Sequence, residues 1–248
     1  MRLLVCGING HMGRAVVELA KKGCRGAEVV AGVDQSVDPT SQISCSPDFS
    51  TAPADVDCIV DFSNHELTRD LLNFAVKNNL PLVISTTGQS EEERELIKKA
   101  AYRIPLFFSA NMSLGIAILI ELAKKVASAM PDAEIEIIEK HHDRKLDAPS
   151  GTALAIAKAI QTVRDNAEIN LGRSGHAKRT PTEIGIHAVR MGNIVGEHEV
   201  MIGTNNQTIT LKHEAHDRAL FAEGAIAAAE FIIGKEPGLY EMKDIVAF

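Results

Sequence analysis

One stretch of fifteen residues carries most of the candidate chemistry in this chain. Residues 139–153 read Glu-Lys-His-His-Asp-Arg-Lys-Leu-Asp-Ala-Pro-Ser-Gly-Thr-Ala, so two adjacent histidines, His141 and His142, shortly precede Lys145. Histidine can donate a proton near neutral pH, and a lysine beside another cation can share that role. These residue types in this order predict a site for an anionic substrate that has to be protonated.

The same stretch ends where an apolar helix is expected to begin. Ser150, Gly151 and Thr152 directly precede that helix, which the apolar pattern predicts over residues 153–163. The first turn of a helix has free backbone N–H groups and a partial positive charge, and both favour a carboxylate or a phosphate. We therefore predict that these three residues bind a carboxylate of the substrate.

Two other interpretations of the histidine pair stay open. The stretch could be an ordinary cationic loop in solvent, followed by an ordinary capped helix. It could also bind a metal together with Asp143, although adjacent histidines lack the i, i+4 spacing of a helical zinc pair and no cysteine lies near. Residues 213–216 are expected to end a strand and cap the next helix, and His187 and His198 to be wall or core residues. We predict no metal site.

A glycine-rich turn near the start of the chain indicates a dinucleotide site. It follows the apolar run 2–6, reads Gly-Ile-Asn-Gly-His-Met-Gly over residues 7–13, and leads into a helical pattern. Glycines there let the backbone approach a pyrophosphate, which the helix start then faces. A second strand, predicted over 28–33, ends in Asp34, where such folds place an acid against the ribose diol. The alternative is a plain glycine turn with a solvated aspartate.

Further turns are expected at the same edge of the predicted sheet, where ligands bind in open α/β folds. The predicted cofactor-binding residues are Gly7, Ile8, Asn9, Gly10, His11, Met12, Gly13, Asp34, Ser85, Thr86, Thr87, Ser109, Ala110, Asn111 and Met112. We expect NADH to serve at least as well as NADPH. The Asp34 carboxylate can accept both ribose hydroxyls but would repel a 2′-phosphate, and Gln35 supplies no compensating cation.

The order of predicted elements divides the chain. Strands and helices alternate up to about residue 112, which predicts a parallel sheet covered by helices, a Rossmann-type α/β domain. Ser-x-x-Glu sequences at Ser63 and Ser90 predict capping boxes at two of these helices, and residues 35–54 predict a loop with one short strand at most. Three successive strands follow later, at 184–190, 197–203 and 207–213, and indicate a partly antiparallel sheet in a second, α+β domain.

Composition limits the possible partners. The formal net charge of −7 argues against nucleic acid as the main partner. The longest apolar stretch, Leu114 to Leu122, is too short to span a bilayer, so we expect no membrane segment. We also expect no signal peptide and a cytoplasmic protein. The four cysteines form no C-x-x-C pair and no zinc-ligand spacing.

The motifs together resemble those of the dihydrodipicolinate reductase (4-hydroxy-tetrahydrodipicolinate reductase) family. Residues 139–153 carry the specific part of the resemblance, which extends over essentially the whole chain, including 7–13, 85–88, 109–112 and 238–242. It implies the reduction of a cyclic hydroxy-imino dicarboxylate, 4-hydroxy-2,3,4,5-tetrahydrodipicolinate, to tetrahydrodipicolinate in lysine and diaminopimelate synthesis. The implied cofactor is NADH, NADPH or both, and water is lost.

The resemblance also implies a role for individual residues. His141 would donate or accept a proton and Lys145 would be the main proton donor. The substrate-binding residues would be His142, Ser150, Gly151, Thr152 and Thr87. Residues 143–144, Asp-Arg, differ from the more basic or amide residues common in the family, which affects the local charge.

The resemblance further assigns a role to each domain. A dinucleotide-binding domain would comprise residues 1–112 with 217–248, and a substrate-binding and oligomerisation domain residues 113–216, in a homo-oligomer that is usually a tetramer. Two alternatives stay open. One is a different nicotinamide reductase of the same two-domain plan, and the other is a non-catalytic NAD sensor, which would not need the His141 and Lys145 pair.

Overall fold

The computed structural model describes residues 1–37 and 42–246 and forms two compact units. The first comprises Met1–Ser113 and the chain from Ala219 onward, and the second comprises Leu114–Arg218. The predicted divisions followed residues 112 and 216. Residues 38–41 of the predicted polar loop, and residues 247–248 of the predicted first domain, lie outside the described part of the chain.

The strands and helices alternate at first and then separate into groups. The strands are β1 (Arg2–Cys6), β2 (Glu28–Val33), β3 (Ser44–Ser46), β4 (Cys58–Asp61), β5 (Leu82–Ile84), β6 (Pro105–Phe108), β7 (Glu134–His141), β8 (Glu168–Leu171), β9 (Glu183–Arg190), β10 (Gly196–Thr204), β11 (Gln207–Ala215) and β12 (Gly238–Tyr240). The helices are α1 (His11–Lys21), α2 (Thr68–Lys77), α3 (Glu91–Ala101), α4 (Leu114–Ala129), α5 (Gly151–Gln161), α6 (Ala219–Ile232) and α7 (Met242–Ile245). None of the described helices is both long and apolar enough to cross a membrane.

The first unit is built on a seven-stranded parallel sheet in the order β12-β6-β5-β4-β1-β2-β3. Every residue of β4 and β5 is buried, as expected for parallel strands covered on both faces. The strand order reverses beside β1, and ligands of such sheets bind beyond the carboxyl ends of the strands at that point. The predicted Rossmann-type α/β domain is confirmed.

The second unit is built on a five-stranded mixed sheet in the order β11-β10-β7-β9-β8. β7, β8 and β9 are parallel, whereas β7 with β10, and β10 with β11, are antiparallel. Side chains of β7 alternate between buried and less buried, so that Ile135 and Ile137 join the core with Ile116 of α4 and Ile156 of α5. The predicted partly antiparallel sheet is confirmed.

The turn after β1 requires glycine at two positions. Gly7 has a φ of +74°, and a Cβ there would lie 2.5 Å from the Phe62 carbonyl oxygen. Gly13 lies in the first turn of α1, where a Cβ would lie 2.1 Å from the Gly7 carbonyl oxygen. Because both neighbours are backbone atoms, the turn and α1 can approach each other this closely only without side chains.

The two predicted capping boxes have different outcomes. The box at Ser90 is confirmed, since its hydroxyl accepts from the Glu93 N–H and its own N–H donates to the Glu93 carboxylate. The box at Ser63 is wrong. The Ser63 hydroxyl donates to the buried Asp61 carboxylate instead, and Asn64 caps a 3₁₀ turn that precedes α2.

Other local predictions also differ from the structure. The predicted cap at residues 213–216 is wrong, because β11 stays paired with β10 as far as Ala215 and α6 begins only at Ala219. The strands β8 and β12 were not predicted. Each has only three or four residues and gains its order from pairing with a longer neighbour, β8 with β9 and β12 with β6.

Candidate active site

Residues 139–153 lie in the second unit, where β7 ends, a loop follows and α5 begins. The strand extends through His141, and its alternation places Glu139 and His141 on the buried side, 0% and 8% exposed. His142, just beyond the strand, is half-buried. The two histidines therefore occupy different environments, and His141 is the one that lies beside a buried carboxylate.

The Glu139 carboxylate is the centre of this buried cluster. It accepts both arms of the Arg190 guanidinium at 2.7 and 2.8 Å, the Ser150 N–H at 2.9 Å, and a contact from His141 Nδ1 at 2.6 Å. Burial alone would raise the pKa of Glu139, but these hydrogen bonds outweigh it and hold that pKa below its usual range. The group is therefore an anion whose donors come from β7, from β9 and from the start of α5.

A second buried histidine packs against the first. The rings of His141 and His198 meet edge to face with centroids 5.2 Å apart, and His198 Nε2 lies 3.2 Å from the Ser150 hydroxyl. Burial lowers the pKa of His198 to about 4. Burial also lowers the pKa of His141, and the attraction of Glu139 opposes that shift only in part. Both rings are therefore mainly neutral at neutral pH.

Lys145 lies in the loop between β7 and α5 and is bound to an aspartate there. Its ammonium is 2.9 Å from one oxygen of Asp147, whose other oxygen accepts the Gly151 N–H at 3.3 Å. The hydrogen bond from Lys145 lowers the pKa of the Asp147 carboxyl. The start of α5 and Lys145 thus already share a carboxylate, which is the ligand predicted for this point.

The three residues at the start of α5 differ in what they can offer a ligand. Ser150 is 1% exposed, and its hydroxyl accepts from the Ala153 N–H as the helix cap. Gly151 is exposed, and a Cβ built on it would meet no atom within 4 Å. Thr152 is half-buried. The open side of the helix start is therefore at Gly151, while Ser150 serves the interior.

In the first unit, the glycine turn and Asp34 are joined directly. The Asp34 carboxylate accepts the Asn9 N–H at 3.0 Å, and the Gly7 N–H donates to the Val33 carbonyl at 2.8 Å. A cavity of about 860 Å³ lies beside them, lined in part by Gly7, Gly10 and Asp34.

The rest of the glycine turn divides into buried and open positions. Ile8 and Gly13 are buried, Met12 is half-buried, and Gly10 and His11 are exposed. The exposed residues lie at the start of α1, where Gly10 as N-cap leaves the helix without a side-chain cap. The first backbone N–H groups of α1 therefore remain for a ligand.

A second cavity of the first unit, about 450 Å³, gathers residues from several strand ends. Its lining includes Met12, Ser85, Thr86, Thr87, Ala110 and Met112. The Ser85 hydroxyl is buried and has no hydrogen-bond partner in the described part of the chain. Ser109 and Asn111 shape the adjacent turn, since the Ser109 hydroxyl donates to the Asn111 carbonyl at 2.8 Å.

These observations fit a dinucleotide. The close approach at Gly13, the uncapped start of α1 and the carboxylate of Asp34 match the needs of a pyrophosphate and a ribose. The described residues offer no comparable set of ligands for a metal ion. Residues 1–37 and 42–246 hold no group of three or more His, Cys, Asp and Glu side chains arranged to bind one.

Comparison with known proteins identifies the family. The model described as "Dihydrodipicolinate reductase, N-terminus" matches residues 1–112, and the model described as "Dihydrodipicolinate reductase, C-terminus" matches residues 115–246. The chain belongs to the dihydrodipicolinate reductase family. As a member of this family, it is an oxidoreductase that binds a nicotinamide dinucleotide.

Individual members of the dihydrodipicolinate reductase family are similar over their full length. The 4-hydroxy-tetrahydrodipicolinate reductase of Caldanaerobacter subterraneus subsp. tengcongensis is 48% identical over 248 residues, which is 99% of this chain and 98% of that protein. The enzyme of the same name from Clostridium tetani is 42% identical, over 98% of this chain and 95% of the other. A dipicolinate-bound dihydrodipicolinate reductase from Paenisporosarcina sp. TG-14 shares the fold, with a TM-score of 0.83 at 24% identity and 99% coverage of both chains.

Three residues of the buried cluster and of the loop between β7 and α5 were not predicted from the sequence. Glu139 carried a usable signal, because a carboxylate two positions before a histidine on a strand shares its face. Arg190 lies beside the cluster only because β9 pairs with β7 so that Arg190 is opposite His141. Asp147 gave no signal beyond its nearness to Lys145 in the chain.

Proposed function

We propose that this chain reduces 4-hydroxy-2,3,4,5-tetrahydrodipicolinate to 2,3,4,5-tetrahydrodipicolinate with NADH or NADPH and the loss of water, in the synthesis of diaminopimelate and lysine. The observation that carries the proposal is the grouping of His141, Lys145 and the open start of α5 in a single segment of the second unit. Full-length similarity to relatives named for this reaction supports it.

The substrate would be anchored through its carboxylates. Gly151 and Thr152 at the start of α5, with His142, would bind one carboxylate, which would take the place of the Asp147 carboxylate at the Gly151 N–H. Ser150 would support this contact as the helix cap. Thr87 of the first unit, which is exposed, is proposed to contact both substrate and cofactor.

The chain's own residues would supply the proton. When bound, a reduced nicotinamide supplies the hydride. The balance of the reaction then requires one proton, because the ring takes up the hydride and one proton while the departing water carries away the ring hydroxyl together with one hydrogen. The Lys145 ammonium would donate that proton, and His141 would donate or accept a proton beside it.

The predicted cofactor-binding residues would divide between the cavity of about 860 Å³ and the cavity of about 450 Å³ in the first unit. The turn from Gly7 to Gly13 would hold the pyrophosphate and Asp34 the ribose diol. The turns at 85–87 and 109–112 would contact the remainder of the cofactor around the second cavity.

We expect the chain to use NADH at least as well as NADPH. The expected preference for NADH is a few-fold to tenfold in kcat/KM, which corresponds to about 1 kcal/mol. The larger cavity supports this expectation. The described residues that line it include four carboxylates, those of Asp34, Asp48, Glu66 and Asp70, and one cation, Lys77. A 2′-phosphate there would meet like charge.

The double change Asp34→Ser with Gln35→Arg should move the preference toward NADPH, because it removes a carboxylate and adds a phosphate-binding cation. Measuring kcat/KM for both cofactors checks this. Glu28→Ser, which removes one charge at the far end of β2, is the matched control and should leave the ratio unchanged. A clear NADPH preference of the native chain would show that Asp34 does not face the ribose.

We also propose a cytoplasmic homo-oligomer, a tetramer by resemblance, with no nucleic-acid or membrane partner. One feature of the second unit supports self-association. The face of its sheet opposite to α4 and α5 carries Ile138, Val189 and Met201, all at least partly exposed.

A coupled assay tests the proposed reaction. An aldolase forms the substrate from pyruvate and aspartate semialdehyde, and the absorbance of the cofactor is followed after this chain is added. We expect cofactor oxidation that requires both precursors and the chain. Oxidation with other amino-acid intermediates only would indicate a different reductase, and cofactor binding without turnover would indicate a sensor.

A further inference from the structure

The proposed reaction leaves the most buried charge of the second unit without a role. Glu139 is fully buried, yet it is held as a carboxylate by donors from three elements: His141 of β7, Arg190 of β9 and Ser150 before α5. A buried carboxylate costs several kcal/mol of desolvation that apolar residues would avoid. A simple core would not need this group, and its direct contact with His141 indicates what it serves.

We infer that Glu139 is the positioning residue of the proposed reaction, holding His141 through Nδ1 so that Nε2 is its reactive nitrogen. The inference rests on the proposed function. A carboxylate has no proton and can only accept, so His141 Nδ1, 2.6 Å away, must carry the proton of the neutral ring. The other nitrogen, Nε2, then has the free lone pair that can accept a proton and return it.

The surroundings of Nε2 agree with this assignment. A Cβ at Gly196 would lie 3.1 Å from Nε2, so the absence of a side chain there leaves room beside that nitrogen. The ring of His198 packs edge to face against His141 and restricts its rotation. The imidazole is therefore held on its Nδ1 side and left open on its Nε2 side.

Arg190 and Ser150 connect this carboxylate to the rest of the site. Arg190 binds both oxygens of Glu139 and also donates to the Asp147 carbonyl at 2.6 Å, in the loop that carries Lys145. The Ser150 N–H binds Glu139 at the cap of α5. One carboxylate thus sets the positions of the histidine, the lysine loop and the helix start relative to one another.

The charges around His141 determine the sign of the pH effect. Glu139 on its own strand raises the pKa of His141, while Lys145 of the loop and Arg190 of β9 lower it. His198 of β10 is neutral above pH about 4. Loss of the Glu139 charge removes the attraction and leaves both repulsions, so the pKa of His141 falls further.

The experiment compares Glu139→Gln with the native chain by kinetics and by ¹⁵N NMR of the histidine rings. We expect kcat to fall about 10- to 100-fold, as when a functional histidine loses its carboxylate partner, with KM much less affected. The His141 limb of the pH–rate profile should move to lower pH. In the native chain the His141 ring should be the Nδ1–H tautomer, and in the variant a mixture.

The matched control is Glu136→Gln. Glu136 lies on the same strand, faces the other side and binds a histidine in the same way, His187 Nε2 at 2.9 Å. Its loss should leave kcat, the pH profile and the His141 tautomer unchanged. Equal effects of the two changes, or native behaviour of Glu139→Gln, would overturn the inference.

The NMR arm needs no substrate, so it separates this inference from the proposed function. If Glu139→Gln does not fold, the native chain alone still decides, because an Nε2–H tautomer of His141 would overturn the inference. If the tautomers behave as expected but the chain does not oxidise cofactor with the proposed substrate, the proposed reaction is wrong and the positioning stands.

Discussion

Replacing Lys145 by alanine, or His141 by glutamine, is expected to lower kcat by about 10²- to 10⁴-fold, the usual contribution of a positioned acid or base. Lys145 is three-quarters buried and bound to one carboxylate, and His141 is bound to another. Steady-state kinetics of each variant with the proposed substrate give the measurement. The effect should appear mainly in kcat, because both groups would act on the proton rather than on binding.

Two neighbouring substitutions serve as controls for that result. Lys140→Ala removes a lysine of β7 whose partner is Glu197, and His187→Gln removes a histidine paired with Glu136 on the other face of the sheet. Both should keep nearly native kcat. If the Lys145 and His141 variants also stayed near the native kcat, neither residue would be a proton donor.

Pyridine-2,6-dicarboxylate should inhibit competitively against substrate, and pyridine-2-carboxylate about 10- to 100-fold more weakly. The difference follows from losing the charge-assisted hydrogen bonds of the second carboxylate, worth about 1.5–3 kcal/mol, while the first carboxylate keeps its place at the start of α5. The fact that this point already accommodates the Asp147 carboxylate motivates the prediction. Cofactor affinity should be similar or tighter with the dicarboxylate bound. Inhibition constants for the two analogues provide the test.

Two threonine substitutions on α5 test whether the dicarboxylate inhibitor binds at the start of this helix. Thr152→Val at the start of the helix should weaken inhibition by the dicarboxylate, whereas Thr162→Val at its end, where the hydroxyl bonds to the Ala159 carbonyl, should not. Equal inhibition by the two pyridine acids would contradict the anchor, since an ordinary capped helix would not distinguish them.

The fold was largely predictable because its signals are local. The glycine turn, the buried strands and the Ser90 capping box each act over a few residues. The error at Ser63 shows the limit of such signals, because the Ser63 hydroxyl donates to the Asp61 carboxylate and Asn64 accepts from the Glu66 N–H as the cap instead. The short strands β8 and β12 carry too little pattern of their own and depend on their neighbours.

The candidate site was only partly predictable for the same reason. His141, Lys145 and the start of α5 are close in sequence, so their types and spacing are visible together. Arg190 comes from β9 and His198 from β10. Only the register of those strands against β7 brings Arg190 to Glu139 and places His198 against His141. Register depends on the whole sheet, which a reading of one segment does not supply.

The most direct test of the proposed reduction follows the hydrogen atom that is transferred from the cofactor to the product. The chain is supplied with substrate formed from pyruvate and aspartate semialdehyde and with NADH deuterated at the transferring carbon, and the product is analysed by mass spectrometry. We expect a dicarboxylate product that carries one deuterium and has one oxygen fewer than the substrate. A product without deuterium, or one that keeps the oxygen, would contradict it.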